Sequence, residues 1–136
     1  LEKGYRHWKA DLITEFNPLE SGLSRFVDMT KDFVGKKPLQ EMERQGPRRR
    51  FVSLTIDNAT IPTHPGDSIM LDGQVVGTVT SSDWGYRVGQ NIALGFVDPT
   101  ALADDAGLQV MHVGAISDAS IGDMCRYDPK NMLVKM

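Results

Sequence analysis

The hydrophobic positions of this chain change their period near residue 50. From Arg50 onward the repeat is two: in Phe51-Val52-Ser53-Leu54-Thr55-Ile56, Val52, Leu54 and Ile56 fall on one side of an extended chain, Ser53 and Thr55 on the other. The same reading predicts strands over Ser68–Leu71 and Gln74–Thr80, joined by Asp72-Gly73. That dipeptide suits a type I′ hairpin, whose two central residues need positive φ. A further strand is predicted over Gln90–Val97, with Ile92, Leu94 and Phe96 on one face, and a final pair, Leu108–Val113 and Ala115–Ile121, around Gly114. Six short strands with Gly, Asp and Pro turns predict a small closed barrel or a sandwich.

Before residue 50 the punctuation is helical. Asn17 precedes Pro18, and Glu20 follows three residues after Asn17, which reads as an N-cap, a proline at the first helical position and a capping box. Leu19, Leu23, Phe26 and Val27 continue it as one apolar stripe at helical spacing. A second short helix is predicted over Lys36–Gln45: Pro38 is tolerated in its first turn, Leu39 and Met42 face inward, and Gly46-Pro47 stops it. The segment is too short for a domain of its own, so we expect it to dock on a preceding part of a longer protein and link that part to the barrel. The chain opens abruptly on Leu1, which fits a piece of something larger.

Composition narrows the function more than the fold. The 136 residues are 40% hydrophobic and 24% charged, enough for one core, and the formal net charge is −3. A net acidic surface without a wide basic face argues against nucleic acid or an anionic membrane as partner. Cys125 is the single cysteine, which excludes an intrachain disulfide and a cysteine-built zinc site; it reads as a small near-core residue. No apolar run approaches the roughly 18 residues of a membrane span and no signal peptide is visible, so a cytoplasmic location is expected.

Candidate chemistry is sparse. Glu2, in Leu1-Glu2-Lys3-Gly4-Tyr5-Arg6-His7-Trp8, is either a solvated glutamate or a two-oxygen acceptor for the paired N–H donors of a planar heterocycle such as a pterin. Arg48, Arg49 and Arg50 are either a solvated linker or an attraction for an anionic ligand tail. The segment Gly77–Arg87 places Trp84, Tyr86 and Arg87 among glycines, either lining a ligand edge or covering the barrel end. His7, His64 and His112 lack metal-ligand spacing, so no metal is expected, and no nucleophile elbow, phosphate loop or dinucleotide fingerprint is present.

Taken in order, several of these stretches resemble one family. Leu-Glu-Lys-Gly-Tyr-Arg-His-Trp, then Asp11-Leu12, then Asn17-Pro18-Leu19-Glu20-Ser21-Gly22-Leu23 resemble the glycine cleavage T-protein (aminomethyltransferase) superfamily. Asp32-Phe33-Val34-Gly35-Lys36 is similar to the element that follows there. Val76-Gly77-Thr78-Val79-Thr80-Ser81 and Asn91-Ile92-Ala93-Leu94-Gly95-Phe96-Val97 look like its C-terminal barrel signature. In style the opening motif is nearest to the folate-binding portion of dimethylglycine and sarcosine dehydrogenases.

That resemblance implies a mainly β fold, a six-stranded Greek-key-like barrel at residues 48–136, preceded by a helical connector at 1–47 that is the tail end of a folate-binding domain. It implies tetrahydrofolate as cofactor, a small amine as substrate, and the C-terminal part of an aminomethyltransferase or N-methyl-amine demethylating enzyme. FAD is possible in the parent protein but is not expected on this piece. The family's pterin-binding glutamate carries over onto Glu2, and loop proximity onto Tyr86 and Arg87; Ser82 stands where many members have glycine. The catalytic aspartate of the family lies before Leu1, so no catalytic residue is expected here and the piece alone should be inactive. The rival reading is a non-catalytic barrel that binds a partner protein or small ligand through the Trp84–Tyr86–Arg87 loop.

Overall fold

A computed structural model describes residues 1–102 and 107–135. Six antiparallel strands form a closed barrel: β1 (Arg50–Ile56), β2 (Ser68–Leu71), β3 (Gln74–Gly85), β4 (Gln90–Val97), β5 (Gln109–His112) and β6 (Ala115–Gly122). Their order around the barrel is β1-β4-β3-β2-β5-β6. Strands β2, β3 and β4 run as a meander, and β1 lies beside β4 after a long connection, which is a Greek-key arrangement. Both short hairpins turn on paired positive φ values, Asp72 (+49°) with Gly73 (+76°) and Val113 (+30°) with Gly114 (+76°), as type I′ geometry demands.

The barrel interior is filled by Val52, Leu54, Ile56, Ile69, Val79, Ala93, Val97 and Val110 among others. Full burial of each such aliphatic side chain contributes roughly 1.5–3 kcal/mol. Unlike an ordinary half-exposed strand, β1 and β4 are buried on both faces. Their outward residues Phe51, Leu94 and Phe96 form a second cluster, against which Leu1, Phe16 and Met124 pack. The rings of Phe16 and Phe96 are stacked with centroids 3.6 Å apart, and Phe51 meets Phe96 at 5.1 Å. The segment before the first helix therefore lies on the outside of the barrel as its cover.

One predicted helix forms and one does not. α1 spans Lys36–Gln45, begins after Gly35, ends at Gly46 and buries Leu39, as the sequence predicts. The stretch from Asn17 makes a single turn. Its start is as expected: Asn17 Oδ1 accepts from the Leu19 and Glu20 amides, and Glu20 Oε2 accepts from the Asn17 amide. It ends within five residues because Gly22, at φ +64°, closes it: the Gly22 amide donates to Leu19 O and the Leu23 amide to Pro18 O. The supposed stripe is broken there, Phe26 is left exposed, and only a short 3-10 turn (Ser24–Phe26) follows.

Strand β3 is longer than predicted. The sequence predicts its end at Thr80, but pairing with β4 continues through Ser81↔Leu94 to Gly85↔Gln90 after a bulge near Thr80. The Ser-Ser-Asp-Trp segment has turn-like composition, yet the β4 ladder satisfies its backbone. Among the described residues, no helix is long and apolar enough to cross a membrane.

Candidate functional site

Glu2 is fixed from two sides. The chain turns at Leu1–Gly4, with the Gly4 amide donating to Leu1 O at 2.7 Å, and the Glu2 carbonyl accepts from the Arg126 and Tyr127 amides at 2.8 and 3.1 Å. Its side chain is thereby aimed at the β3–β4 hairpin, where Oε1 accepts from the backbone amides of Arg87 (2.7 Å) and Val88 (3.2 Å). One carboxylate oxygen thus takes two N–H donors, and Oε2 has no hydrogen-bond partner among the described residues.

Arg87 lies in the turn of that hairpin, between Gly85 and Gln90. Its guanidinium lies 4.9 Å from the Tyr127 ring centroid, and Nη1 donates to Tyr127 Oη at 3.0 Å. The Lys3 ammonium sits 5.9 Å from the same ring centroid, donating to the Asp128 carbonyl (2.7 Å), to Asp128 Oδ2 (3.2 Å) and to Asn131 Oδ1 (2.7 Å). Glu2 and Arg87, both picked out from the sequence, are therefore joined. Tyr86 is adjacent to them but 85% exposed. Lys3 and Tyr127 were missed; the alternating pattern stops at Gly122, so it assigns no face to anything in the tail.

The tail is held on the outer face of β1 by Arg126. Its guanidinium donates to Ser53 Oγ (3.0 and 3.2 Å), to Gln90 Oε1 (2.8 Å) and to Thr55 Oγ1. Burial lowers the Arg126 pKa and Asp123 opposes that shift. Asp128 loses water as well, but the Lys3 ammonium and the Met132 amide hold its carboxyl below the usual carboxylate range overall. A depressed carboxylate pKa contributes stability above its unfolded value, and that stability is lost as pH falls through the folded value. We therefore expect acidification below the usual carboxylate range to release the tail from Lys3. Hydrogen exchange of the Met132 amide, which donates to Asp128 Oδ1, should accelerate there, and Asp128→Asn should abolish that acid-dependent step. Exchange independent of pH, after correction for intrinsic rates, would contradict it.

Other candidates lie elsewhere. Trp84 does not share the Tyr86–Arg87 edge: it pairs with Asn91, which pairs with Ile56, a core residue, so its side chain belongs to the inward row at the barrel mouth. The Trp84–Tyr86–Arg87 loop is accordingly not one contact surface. The arginine run starts at the opposite end of β4, where Arg50 pairs with Val97 while Gln90 pairs with Gly85; Arg49 Nη1 donates to the Val76 carbonyl there. His112 is buried between Pro62 O (3.1 Å) and Ser117 Oγ (2.8 Å), and His7 and His64 are exposed. Among the described residues no metal-binding cluster exists. Cys125 is half-buried and free. Asp11, which sequence reasoning gave no role, is fully buried; its Oδ2 accepts from the His7 amide at 2.6 Å and its Oδ1 has no partner.

The geometry has clear relatives. The family described as glycine cleavage T-protein C-terminal barrel domain matches residues 49–128. Mitochondrial dimethylglycine dehydrogenase of Mus musculus is 37% identical over 112 residues, covering 81% of this chain and 13% of that protein. Mitochondrial sarcosine dehydrogenase of Mus musculus is 33% identical over 144 residues, covering 99% of this chain and 16% of that protein. In fold, the chain superposes on the glycine cleavage system aminomethyltransferase T from Bartonella henselae with a TM-score of 0.85, at 21% identity, over 94% of this chain and 37% of that one. The chain thus spans about one seventh of the length of the two dehydrogenases.

Proposed function

This chain belongs to the glycine cleavage T-protein family, of which it carries the C-terminal barrel, and from that premise we propose that it walls one side of a tetrahydrofolate-dependent one-carbon transfer site. The observation that carries the reading is the clasp of Glu2 on the Arg87 and Val88 amides, which gathers a carboxylate, a guanidinium and exposed Tyr86 at one edge of the barrel. In it, Glu2 Oε2 receives the N–H edge of the pterin while Oε1 remains bound to the hairpin. The Arg87 guanidinium, braced on Tyr127, meets the anionic tail of the cofactor with its remaining N–H groups. Tyr86 lies beside the ring.

The chemical role is binding and orientation. Holding the acceptor amine of folate close to a one-carbon donor makes the transfer effectively unimolecular. Acid–base and electrostatic help would come from residues outside this chain, in a parent enzyme that demethylates an N-methyl amine or transfers an aminomethyl group. The boundary near residue 47, with 1–47 as the tail of a folate-binding domain, belongs to the same proposal.

Isothermal titration of the full-length protein with tetrahydrofolate tests it. Glu2→Gln keeps an acceptor for the hairpin amides but removes the charge, so affinity should fall roughly 10- to 100-fold, the worth of a charge-assisted hydrogen bond. The isolated 136-residue chain should bind more weakly than about 1 mM, since it would hold only part of the cofactor. Unchanged affinity in Glu2→Gln would favour a barrel that serves as an interaction module. Tight binding by the isolated chain would show that the site is divided differently.

A further inference from the structure

The loop between β1 and β2, residues 57–67, folds over one end of the barrel and is fastened there by side chains that point inward. The register turns Ser82 and Trp84 to the interior, since Ser82 pairs with core Ala93, and Trp84 with Asn91, which pairs with core Ile56. Asp83, between them in the chain, falls on the outer face and is exposed. Asn91 Nδ2 donates to the carbonyls of Asn58 (2.8 Å) and Ile61 (3.4 Å), and Ser82 Oγ donates to that of Thr63. Asn58 Nδ2 donates to Ser117 Oγ at 3.0 Å, so the Ser117 hydroxyl donates in turn to His112 Nε2, and His112 Nδ1 donates to the Pro62 carbonyl at 3.1 Å.

Between the loop and the strands lies a cavity of about 370 Å³, with Ile61, Pro62, Thr63, Ser82, Trp84 and Asn91 in its lining. The mouth of a β-barrel is a usual place for a small ligand, and this volume is of the usual size. Three polar groups of the lining remain unspent once the loop is fastened. The Thr63 hydroxyl is buried and has no partner. Asn91 is 7% exposed, and both of its hydrogen bonds leave from Nδ2, so its Oδ1 is an acceptor without a donor. The Trp84 backbone amide donates to Asp83 Oδ1, whereas the indole N–H has no hydrogen-bond partner among the described residues. Buried polar groups are paired as a rule, and leaving them unpaired is unfavourable. Three in one cavity mark a place for a ligand that pairs them.

We propose that this cavity binds a small neutral ring bearing a cis-amide, a lactam or a cyclic ureide. Trp84 and Asn91 are direct cross-strand partners, with Cβ atoms roughly 4.5–5.5 Å apart as in any such pair. An indole N–H and a carboxamide oxygen are thereby neighbours. A cis-amide offers the complementary pair on one edge: its carbonyl accepts from the indole, and its N–H donates to Asn91 Oδ1. The Thr63 hydroxyl supplies a second donor to that carbonyl, and the apolar body of the ring rests on Ile61 and Pro62. Charge is disfavoured. The ionisable residues of the lining, His64 and Asp83, are both exposed, so an ion inside would lose water without gaining an opposite charge. None of the lining residues belongs to the clasp that holds Glu2.

The test is an NMR titration of the 136-residue chain with 2-pyrrolidinone, following the Trp84 indole N–H and the Asn91 side-chain amide. Cyclopentanone has the same ring and carbonyl but no N–H. Saturable shifts of both groups are expected with pyrrolidinone, and cyclopentanone should bind about tenfold more weakly, the worth of a hydrogen bond whose buried partner is left unpaired. Trp84→Phe keeps an aromatic wall and removes the indole N–H; it should weaken lactam binding by a similar factor, read at Asn91. Thr63→Val, nearly isosteric, should also weaken binding, while the melting temperature stays level or rises because an orphan hydroxyl is gone. This second variant decides the matter if the Trp84 variant does not fold. Shifts that never saturate would mean that the cavity holds water only. That result, equal binding of cyclopentanone, or full affinity in Thr63→Val would each overturn the assignment.

Discussion

Replacing Phe96 by alanine should destabilise the chain by roughly 3–5 kcal/mol, the cost of removing a buried phenylalanine from a packed cluster. Phe96 is 3% exposed, stacks on Phe16 and meets Phe51, and it belongs to the outer cluster rather than to the barrel interior. A domain of this size has about 5–15 kcal/mol in all, so a fall in melting temperature on the order of 10–20 °C is expected. The loss should be uneven. Amides of the segment around Phe16 should exchange ahead of those in β4, because the ring joins the cover to the barrel. Phe16→Ala should cost less, its ring being only half-buried, and combining the two substitutions should cost less than their sum, since they share one stack. Uniform loss of protection in Phe96→Ala would mean that cover and barrel unfold as one.

What the sequence made legible follows from how local each signal is. α1 came out at both ends because Gly35 and Gly46-Pro47 punctuate it within the chain itself. The hairpins were readable because Asp72-Gly73 and Gly114 state their turn chemistry. The one-turn element at Asn17 failed at the opposite boundary: a capping box announces a start only, and Gly22 acts as a stop only because the chain there takes up a left-handed turn. The extension of β3 to Gly85 failed because Ser-Ser-Asp is turn-like by composition, whereas its backbone partners in β4 lie elsewhere in the sequence.

The burial of Phe51, Leu94 and Phe96 was hidden for a related reason. Alternation assigns residues to faces without telling which face is the interior, and the larger side chains of β4 point outward under a cover supplied by Leu1, Phe16 and Met124. Of the edge now proposed to meet the cofactor, residue types were readable and proximity was not. Glu2 and Arg87 are 85 positions apart, and their bond depends on the cover lying on the barrel and on Tyr127 arriving from the tail. Trp84 stands two residues before Tyr86, yet strand pairing turns it to the mouth. A loop that composition presents as one unit is thereby divided between the barrel mouth and the hairpin edge.

Gly4→Ala should displace the whole turn that carries the clasp, whereas a change in Glu2 removes only its side chain. Gly4 has φ +68°, and a Cβ there would sit 2.1 Å from the Met124 carbonyl oxygen and 2.8 Å from its carbon. An alanine at positive φ costs roughly 1–2 kcal/mol, and displacing a backbone carbonyl adds about 1–3 kcal/mol of overpacking. The obstacle is main chain, so no rotamer change relieves it. The turn at Leu1–Gly4 must move away from the tail, and the Glu2 carbonyl then loses the Arg126 and Tyr127 amides while Oε1 leaves those of Arg87 and Val88. Exchange at these four amides should rise together, ahead of the β1 and β4 ladders, and chemical denaturation should place the total loss near 2–5 kcal/mol. Gly114→Ala is the control: its φ is also positive, +76°, but nothing lies within 4 Å of the added methyl, so only the backbone part of the cost should appear. If the two variants lost equal stability, or if the four amides stayed protected in Gly4→Ala, the joining of tail, turn and hairpin through Glu2 would have to be abandoned.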